Sequence, residues 1–373
     1  MNLTLHITDR CNMRCSYCMQ EHSEREMSLE TALAAVDLSV RSKGDPLIPS
    51  GCMHTGLSFF GGEPLLNREL IERTVDYCEG IRTGTGEQFK YVMVTNGTLL
   101  DESFLEFAAR NKMEIGLSHD GLMHEMSRKM GDGSSSFDLL EDKISLLIKY
   151  LPGSTAMCTI HPLHVDRLAE SIEWLFESGF REIQTIPAVG EKTEWTPEAL
   201  EELDEQYRRL SDLYVKWTAA GHDFSLPVFD IKIKSHIMDG MGINQTCRFG
   251  QKQLSVAPGG AIYPCVQFLD QPEFLMGDVF GGMIEESVKR VVEKGLREPE
   301  ECQSCALKKR CKYNCCCQNK VMTGTIHQVS PLTCAFERAA IRNADRAANR
   351  LLELDDPHFL KKHYRFAPKT KNG

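Results

Sequence analysis

Through the first half of the chain the apolar positions switch repeatedly between two periods. Short runs at Leu3 to Ile7, Thr55 to Phe60, Phe89 to Val94, Met113 to Ser118, Thr155 to Ile160 and Glu182 to Ile186 read as strands. Between them apolar residues recur at helical spacing, at Ser28 to Lys43, Asn67 to Arg82, Glu102 to Arg110, Phe137 to Tyr150 and Asp166 to Ser178, with Ser28 placed to cap the first. Six β/α repeats predict an α/β fold, a parallel sheet wrapped by helices, most simply a barrel or part of one. Residues 197–220 read as a long charged helix leaving the barrel. From Cys247 onward the β/α rhythm gives way to Cys, Gly and turn residues, so a domain boundary is expected near 230. The divisions expected are a barrel over 1–230, a Cys-rich domain over 231–334 and a basic helical tail over 335–373. In that tail Arg338, Arg342, Arg346 and Arg350 recur every four residues, a solvated face or a surface for an anion or peptide.

With 373 residues, 42% of them hydrophobic, the chain can bury a large core. The 43 basic and 53 acidic residues leave a net charge of −10, which argues against wholesale nucleic-acid binding. No apolar run approaches the roughly 18 residues that span a bilayer, and no signal-peptide pattern opens the chain. A cytoplasmic protein without membrane or nucleic-acid partners is therefore expected. The 15 cysteines then read as thiols for metal rather than disulfides. Cys52, Cys78 and Cys158 sit singly in or beside apolar segments and read as small buried hydrophobes, whereas three cysteines crowd into 11–18 and nine into 247–334.

The first group, in "TDRCNMRCSYCM" at 8–19, spaces Cys11, Cys15 and Cys18 as C-x3-C-x2-C. Four thiolates close a tetrahedral zinc site or hold every iron of a cubane cluster, whereas three leave one position open for a non-protein ligand. A zinc knuckle borrowing a distant fourth ligand uses the same residues. Each of the next three strands runs into a turn-rich stretch, "GGEP" at 61–64, "TNG" at 95–97 and "SHDG" at 118–121. Catalytic groups in β/α barrels gather at the C-terminal ends of strands, so these stretches and the cysteine loop are expected at one mouth.

The cysteine triplet, with Tyr17 before its last member and "GGEP" after the second strand, resembles the radical S-adenosylmethionine (SAM) enzymes. The resemblance implies a partial (β/α)6 barrel and a [4Fe-4S] cluster on Cys11, Cys15 and Cys18, whose open iron is chelated by SAM. It implies that Tyr17, Gly61, Gly62, Glu63, Asn96, Ser118 and Arg128 lie at the SAM site, with Gly61, Gly62 and Glu63 toward the methionyl amine. Turn residues at Asn96 and Ser118 and a surface ion pair at Arg128 are the plainer readings. His119 stands where relatives usually carry an apolar residue, facing the substrate or merely packed.

Farther on, Cys247, Gly260, Cys265, Cys302, Cys305, Cys311, Cys315 and Cys334 resemble in spacing the SPASM domain of peptide- and protein-modifying enzymes. A zinc ribbon on Cys302, Cys305, Cys311 and Cys315 also has acceptable spacing, but leaves Cys247, Cys265 and Cys334 without a role. The resemblance implies two auxiliary [4Fe-4S] clusters, one on Cys302, Cys305, Cys311 and Cys334 and one on Cys247, Cys265 and Cys315, three clusters in all. The latter set has three members, completed by Cys316 or Cys317 or left with an open iron. In anaerobic sulfatase-maturating relatives an aspartate follows the cysteine of the G-x4-C element and acts as base. Here that position is Val266, and valine takes no proton. Oxidative modification or cross-linking of a ribosomally made precursor peptide, through a thioether or carbon-carbon bond, is therefore expected ahead of formylglycine formation. A non-catalytic electron-transfer protein explains the cysteines but not "GGEP". Expected partners are the precursor peptide, an electron donor such as flavodoxin or ferredoxin, and, because the barrel pattern begins at residue 3, a separate leader-binding protein or the basic tail.

Overall fold

The computed structural model describes residues 2–43, 54–240, 248–312 and 315–364. In chain order the first half runs β1 (Asn2–Thr8), α1 (Leu29–Arg41), β2 (Thr55–Gly61), α2 (Arg68–Thr85), β3 (Phe89–Thr95), α3 (Glu102–Arg110), β4 (Glu114–Ser118), α4 (His124–Ser127), α5 (Phe137–Tyr150), β5 (Thr155–Ile160), α6 (Leu168–Glu177) and β6 (Glu182–Pro187). There follow α7 (Pro197–Ala219), α8 (Pro227–Ile237), β7 (Gln253–Val256), β8 (Ala261–Tyr263), β9 (Gly277–Asp278), β10 (Gly282–Met283), α9 (Glu285–Leu296), α10 (Cys316–Thr323), α11 (Pro331–Glu353) and α12 (Pro357–His363). All six expected strands and their helices are present, and the class is α/β. Ser28 does cap α1, its side chain accepting from the Thr31 N–H at 3.0 Å.

Two compact units divide the chain. One comprises residues 1–118, 128–154 and 247–297, the other 119–127, 155–246 and 298–373. In the first, β1 pairs in parallel with β2, β2 with β3 and β3 with β4. On its other side β1 pairs in parallel with β7, and β8, β9 and β10 continue from there as antiparallel strands. These four strands went unread in the sequence because none exceeds four residues, too short for a period to show. Leu3, Leu5, Ile7, Leu57, Phe59, Leu254 and Val256 are buried along the paired strands.

In the second unit β5 and β6 pair in parallel. The long helix α7 packs on α6, α11 and α12, and its Tyr214 reaches Phe229 and Asp230 of α8. Its apolar side is buried through Leu203, Tyr207, Leu210, Tyr214 and Trp217. Both expected division points fall inside helices, 230 in α8 and 334 in α11. Residues 335–353 are therefore a packed continuation of α11, with Phe336, Ala340, Ala344, Ala347 and Leu351 buried. No described helix is long and apolar enough to cross a membrane. Cys78 and Cys158 are buried as expected, and Cys52 and Cys247 lie outside the described residues.

Candidate active site

The cysteine loop leaves the C-terminal end of β1 and is held by backbone bonds on both sides, with a side-chain tie through Asn12. Gly62 donates its N–H to the Thr8 carbonyl and Glu63 its N–H to the Arg10 carbonyl, both at 2.8 Å. On the far side, Arg14 donates to the Lys129 carbonyl at 2.8 Å and Gly131 to the Asn12 carbonyl at 2.7 Å. A Cβ added to Gly61 would lie 2.3 Å from the Thr8 carbonyl oxygen, and one on Gly62 only 2.1 Å from that of Arg10. Both glycines are thus required by the loop itself, because its backbone runs where side chains would stand.

Glu63 is fully buried. Its carboxylate accepts from the Leu65 N–H at 3.0 Å, the Thr95 hydroxyl at 2.7 Å and the Asn96 N–H at 2.7 Å. It therefore ties the end of β2 to the end of β3, and burial pushes its pKa up to about 7. Asn96, also buried, accepts from the Thr98 N–H and hydroxyl while its amide donates to the Asn12 Oδ1 at 2.8 Å. That amide nitrogen lies 4.0 Å from the Cys11 sulfur. The turn role is thus filled, by a side chain that also lies beside the cysteine loop. Asn12, whose amide donates to Thr98 at 2.8 Å, completes the tie and was missed because a lone Asn in a loop carries no distinguishing pattern.

Arg128 is buried rather than paired at the surface, 7% exposed, with a guanidinium nitrogen 4.0 Å from the Cys15 sulfur and its centre 5.3 Å from the Tyr17 ring centroid. Ser118 ends β4 and is partly exposed. A cavity of about 280 Å³ opens against the loop, lined in part by Arg10, Cys11, Asn12, Arg14 and His22. His22 places its Nε2 3.8 Å from the Cys18 sulfur, a neighbour the sequence reading did not single out.

The donor set fits a cluster of iron and sulfide. Burial pushes the Cys11 thiol up to about 11, with Glu63, Cys15 and Cys18 adding negative charge around it. Such thiols stay protonated until a cation replaces the proton, and the Arg128 guanidinium, 4.0 Å from the Cys15 sulfur, would offset part of the negative charge of a bound cluster. No disulfide is formed among the described cysteines.

His119 is fully buried, its Nδ1 accepting from the Gly121 N–H at 3.0 Å and its ring stacked on His124 at 4.1 Å and Trp174 at 5.1 Å. It packs as a flat apolar ring would. Cys302 and Cys311 are buried, and the Cys302 thiol is pushed up to about 11 by burial and by the nearby Cys334 and Cys305. Cys315 caps α10, and its sulfur lies 3.1 Å from that of Cys317, whereas Cys316 is buried. In the first unit Cys265 is partly exposed just before Val266, and Asp270 pairs with Arg25 at 2.6 Å.

Residues 5–203 match the family model of the radical SAM superfamily. A cysteine-type anaerobic sulfatase-maturating enzyme of Clostridium perfringens is 25% identical over 323 residues, 82% of this chain and 85% of that protein. Among solved structures, native anSMEcpe with bound AdoMet and Cp18Cys peptide superposes with a TM-score of 0.78 at 22% identity, over 95% of this chain and all of the other. Streptococcus suis SuiB bound to precursor peptide SuiA gives 0.61 at 16% identity, over 89% of this chain and 75% of the other.

The chain belongs to the radical SAM superfamily and has its partial-barrel fold. It is accordingly an enzyme whose cofactors are SAM and [4Fe-4S] iron-sulfur, and the non-catalytic electron-transfer reading is set aside.

Proposed function

We propose that the protein is a radical SAM peptide maturase that oxidatively modifies or cross-links side chains of a ribosomally synthesised precursor peptide. Cys11, Cys15 and Cys18 would hold the SAM cluster, Cys302, Cys305, Cys311 and Cys334 one auxiliary cluster, and Cys247, Cys265 and Cys315 a further one. When bound, the reduced SAM cluster supplies one electron that cleaves SAM to methionine and a 5′-deoxyadenosyl radical able to take a hydrogen atom from substrate. The chain's own residues orient and shield. Arg128 is shaped for a carboxylate and stands beside the loop thiols, with Tyr17 under its guanidinium. Asn96 and Ser118 mark the ends of β3 and β4, where the bound cofactor's polar groups would be met. Glu63 acts one layer back, fixing Asn96 and the loop that carries Cys11.

The observation that carries cross-linking over formylglycine formation is the proton acceptor. Val266 fills the position of the relatives' base, and the nearby carboxylate, Asp270, is committed to Arg25, which also binds Asp9 at 2.6 Å. Likeness to a sulfatase-maturating enzyme over 82% of the chain favours formylglycine formation as the second reading. The test is to give anaerobically reconstituted enzyme SAM, dithionite and either candidate precursor peptides or a cysteine-containing sulfatase peptide, and to read product masses. Loss of a hydrogen pair from a precursor supports the proposal. Exchange of sulfur for oxygen together with loss of two hydrogens in the sulfatase peptide, with every precursor unchanged, would replace it by the second reading.

A further inference from the structure

Cys311 lies in a stretch without regular structure, yet both of its flanking peptide groups are pinned. The Arg310 carbonyl accepts from the Lys232 ammonium at 2.9 Å, and the Lys312 N–H donates to a Glu337 carboxylate oxygen, also at 2.9 Å. Lys232 and Glu337 are themselves an ion pair, their side chains 3% and 16% exposed. The peptide before Cys311 and the peptide after it therefore end on opposite poles of one buried pair. The Arg310 side chain is fixed as well, forked onto Asp345 at 2.9 and 2.6 Å and donating to the Lys232 carbonyl at 3.0 Å.

Glu337 sits on α11 three residues after Cys334, about one helical turn along. One helix thus carries one cysteine directly and holds the backbone of another through Glu337, with α8 supplying the counter-charge. A buried ion pair is a poor means of stabilising a fold, since an apolar pair of similar shape often does as well or better. Its particular merit is direction, because a carboxylate and an ammonium fix the donors and acceptors around them.

We propose that the Lys232–Glu337 pair is a positioning device that sets Cys311 against Cys334 within one iron-sulfur ligand set. The proposal rests on the auxiliary-cluster reading given above, and it adds two residues with opposite electrostatic effects. Replacing Lys232 by Met leaves Glu337 uncompensated and frees the Arg310 carbonyl. Replacing Glu337 by Gln keeps an acceptor for the Lys312 N–H but leaves the ammonium uncompensated. Negative charge near a cluster disfavours its reduced form and positive charge favours it.

The experiment uses the full-length chain, reconstituted anaerobically, and takes as reporter the electron paramagnetic resonance signal that Cys334→Ala removes. In Lys232→Met the iron behind that signal should pass to a chelator about 10-fold faster, as for other losses of support around metal ligands. The remaining signal should titrate at a lower midpoint potential. Glu337→Gln should raise the midpoint, and Lys232→Arg should restore both properties toward wild type, which distinguishes positioning from general damage to the fold. A Cys334-dependent signal unchanged in release and potential in both Lys232→Met and Glu337→Gln would overturn the proposal while leaving the cluster reading intact. If Cys334→Ala removes no iron and no signal, the auxiliary-cluster reading fails and the proposal falls with it.

Discussion

The two cysteine-rich regions are held in different ways. The loop at 11–18 is fixed by short backbone bonds to Gly62, Glu63, Lys129 and Gly131, with two glycines that admit no side chain. The stretch around Cys311 is fixed by charged side chains, Lys232, Arg310, Glu337 and Asp345, three of them remote in sequence from the cysteine they steady. Backbone bonds to glycine demand a residue type at a fixed spacing and so leave a motif. Charge clamps demand only complementary ends and leave none.

The largest effects expected separate the regions outright. Cys11→Ala should reduce 5′-deoxyadenosine formation from SAM and dithionite to background, measured by chromatography after anaerobic reconstitution. Cys334→Ala should lower iron by about four atoms per chain while leaving the barrel folded by circular dichroism. Intact SAM cleavage in Cys11→Ala would sink the assignment of the first triplet.

Next in size is the test of the backbone-held loop. Gly62→Ala places a methyl on the Arg10 carbonyl, and should cost about 3 kcal/mol or more in urea unfolding because neither backbone segment can yield. Gly80→Ala, within α2 and with nothing within 4 Å of the added carbon, should instead stabilise by about 0.5–1 kcal/mol. Equal effects at the two positions would show that the first region is not held as described.

Acid should divide the units further. Asp230, despite the upward push of burial, is lowered to about 2 by His363 and Lys362. Its stabilisation of the second unit is complete above its ordinary value of 3.8 and is lost as pH falls through about 2. The amount at stake is about 2 kcal/mol. Glu63 has the opposite sign. Its pKa is raised from 4.5 to about 7, so its contribution in the iron-free chain is full below 4.5 and declines as pH rises through 7. Hydrogen exchange on iron-free protein should show α8 and α12 losing protection at acid pH while the turn at 61–65 gains it. Asp230→Asn should remove the acid loss, and parallel behaviour of the two regions would contradict the assignment of these groups.

This division also explains what could be read from sequence. The first six strands and the Ser28 cap are local features, and each appeared where residue period or spacing put it. Strands β7–β10 were not legible, because two to four residues carry no period and the pairing of β7 with β1 joins positions some 250 apart, as Asn2 with Gln253. The roles of Gly61 and Gly62 were half legible, since the motif marked them but only the structure shows the cysteine loop lying against them. The charge clamp was invisible, Lys232 and Glu337 being 105 residues apart.

The arginine stripe on α11 gives the smallest expected effect and the last discriminating comparison. Arg342 pairs with Asp204 at 3.0 Å, Arg346 pairs with Asp212 at 3.3 Å, and Arg350 pairs with Asp212 as well, so the stripe faces carboxylates of α7. These side chains are 42–64% exposed, and pairs so open to water are screened and contribute little. Arg350→Ala should therefore change stability by less than about 1 kcal/mol, and added salt should erase even that. Lys232→Met, the same kind of charge loss inside the second unit, should be felt severalfold more strongly in unfolding, because its partner is left without water to replace it. If the two substitutions cost the same, burial is not what gives the clamp its force. If Arg350→Ala leaves stability alone but weakens binding of a precursor peptide, the stripe serves the substrate, and its carboxylate partners on α7 hold it ready for that exchange.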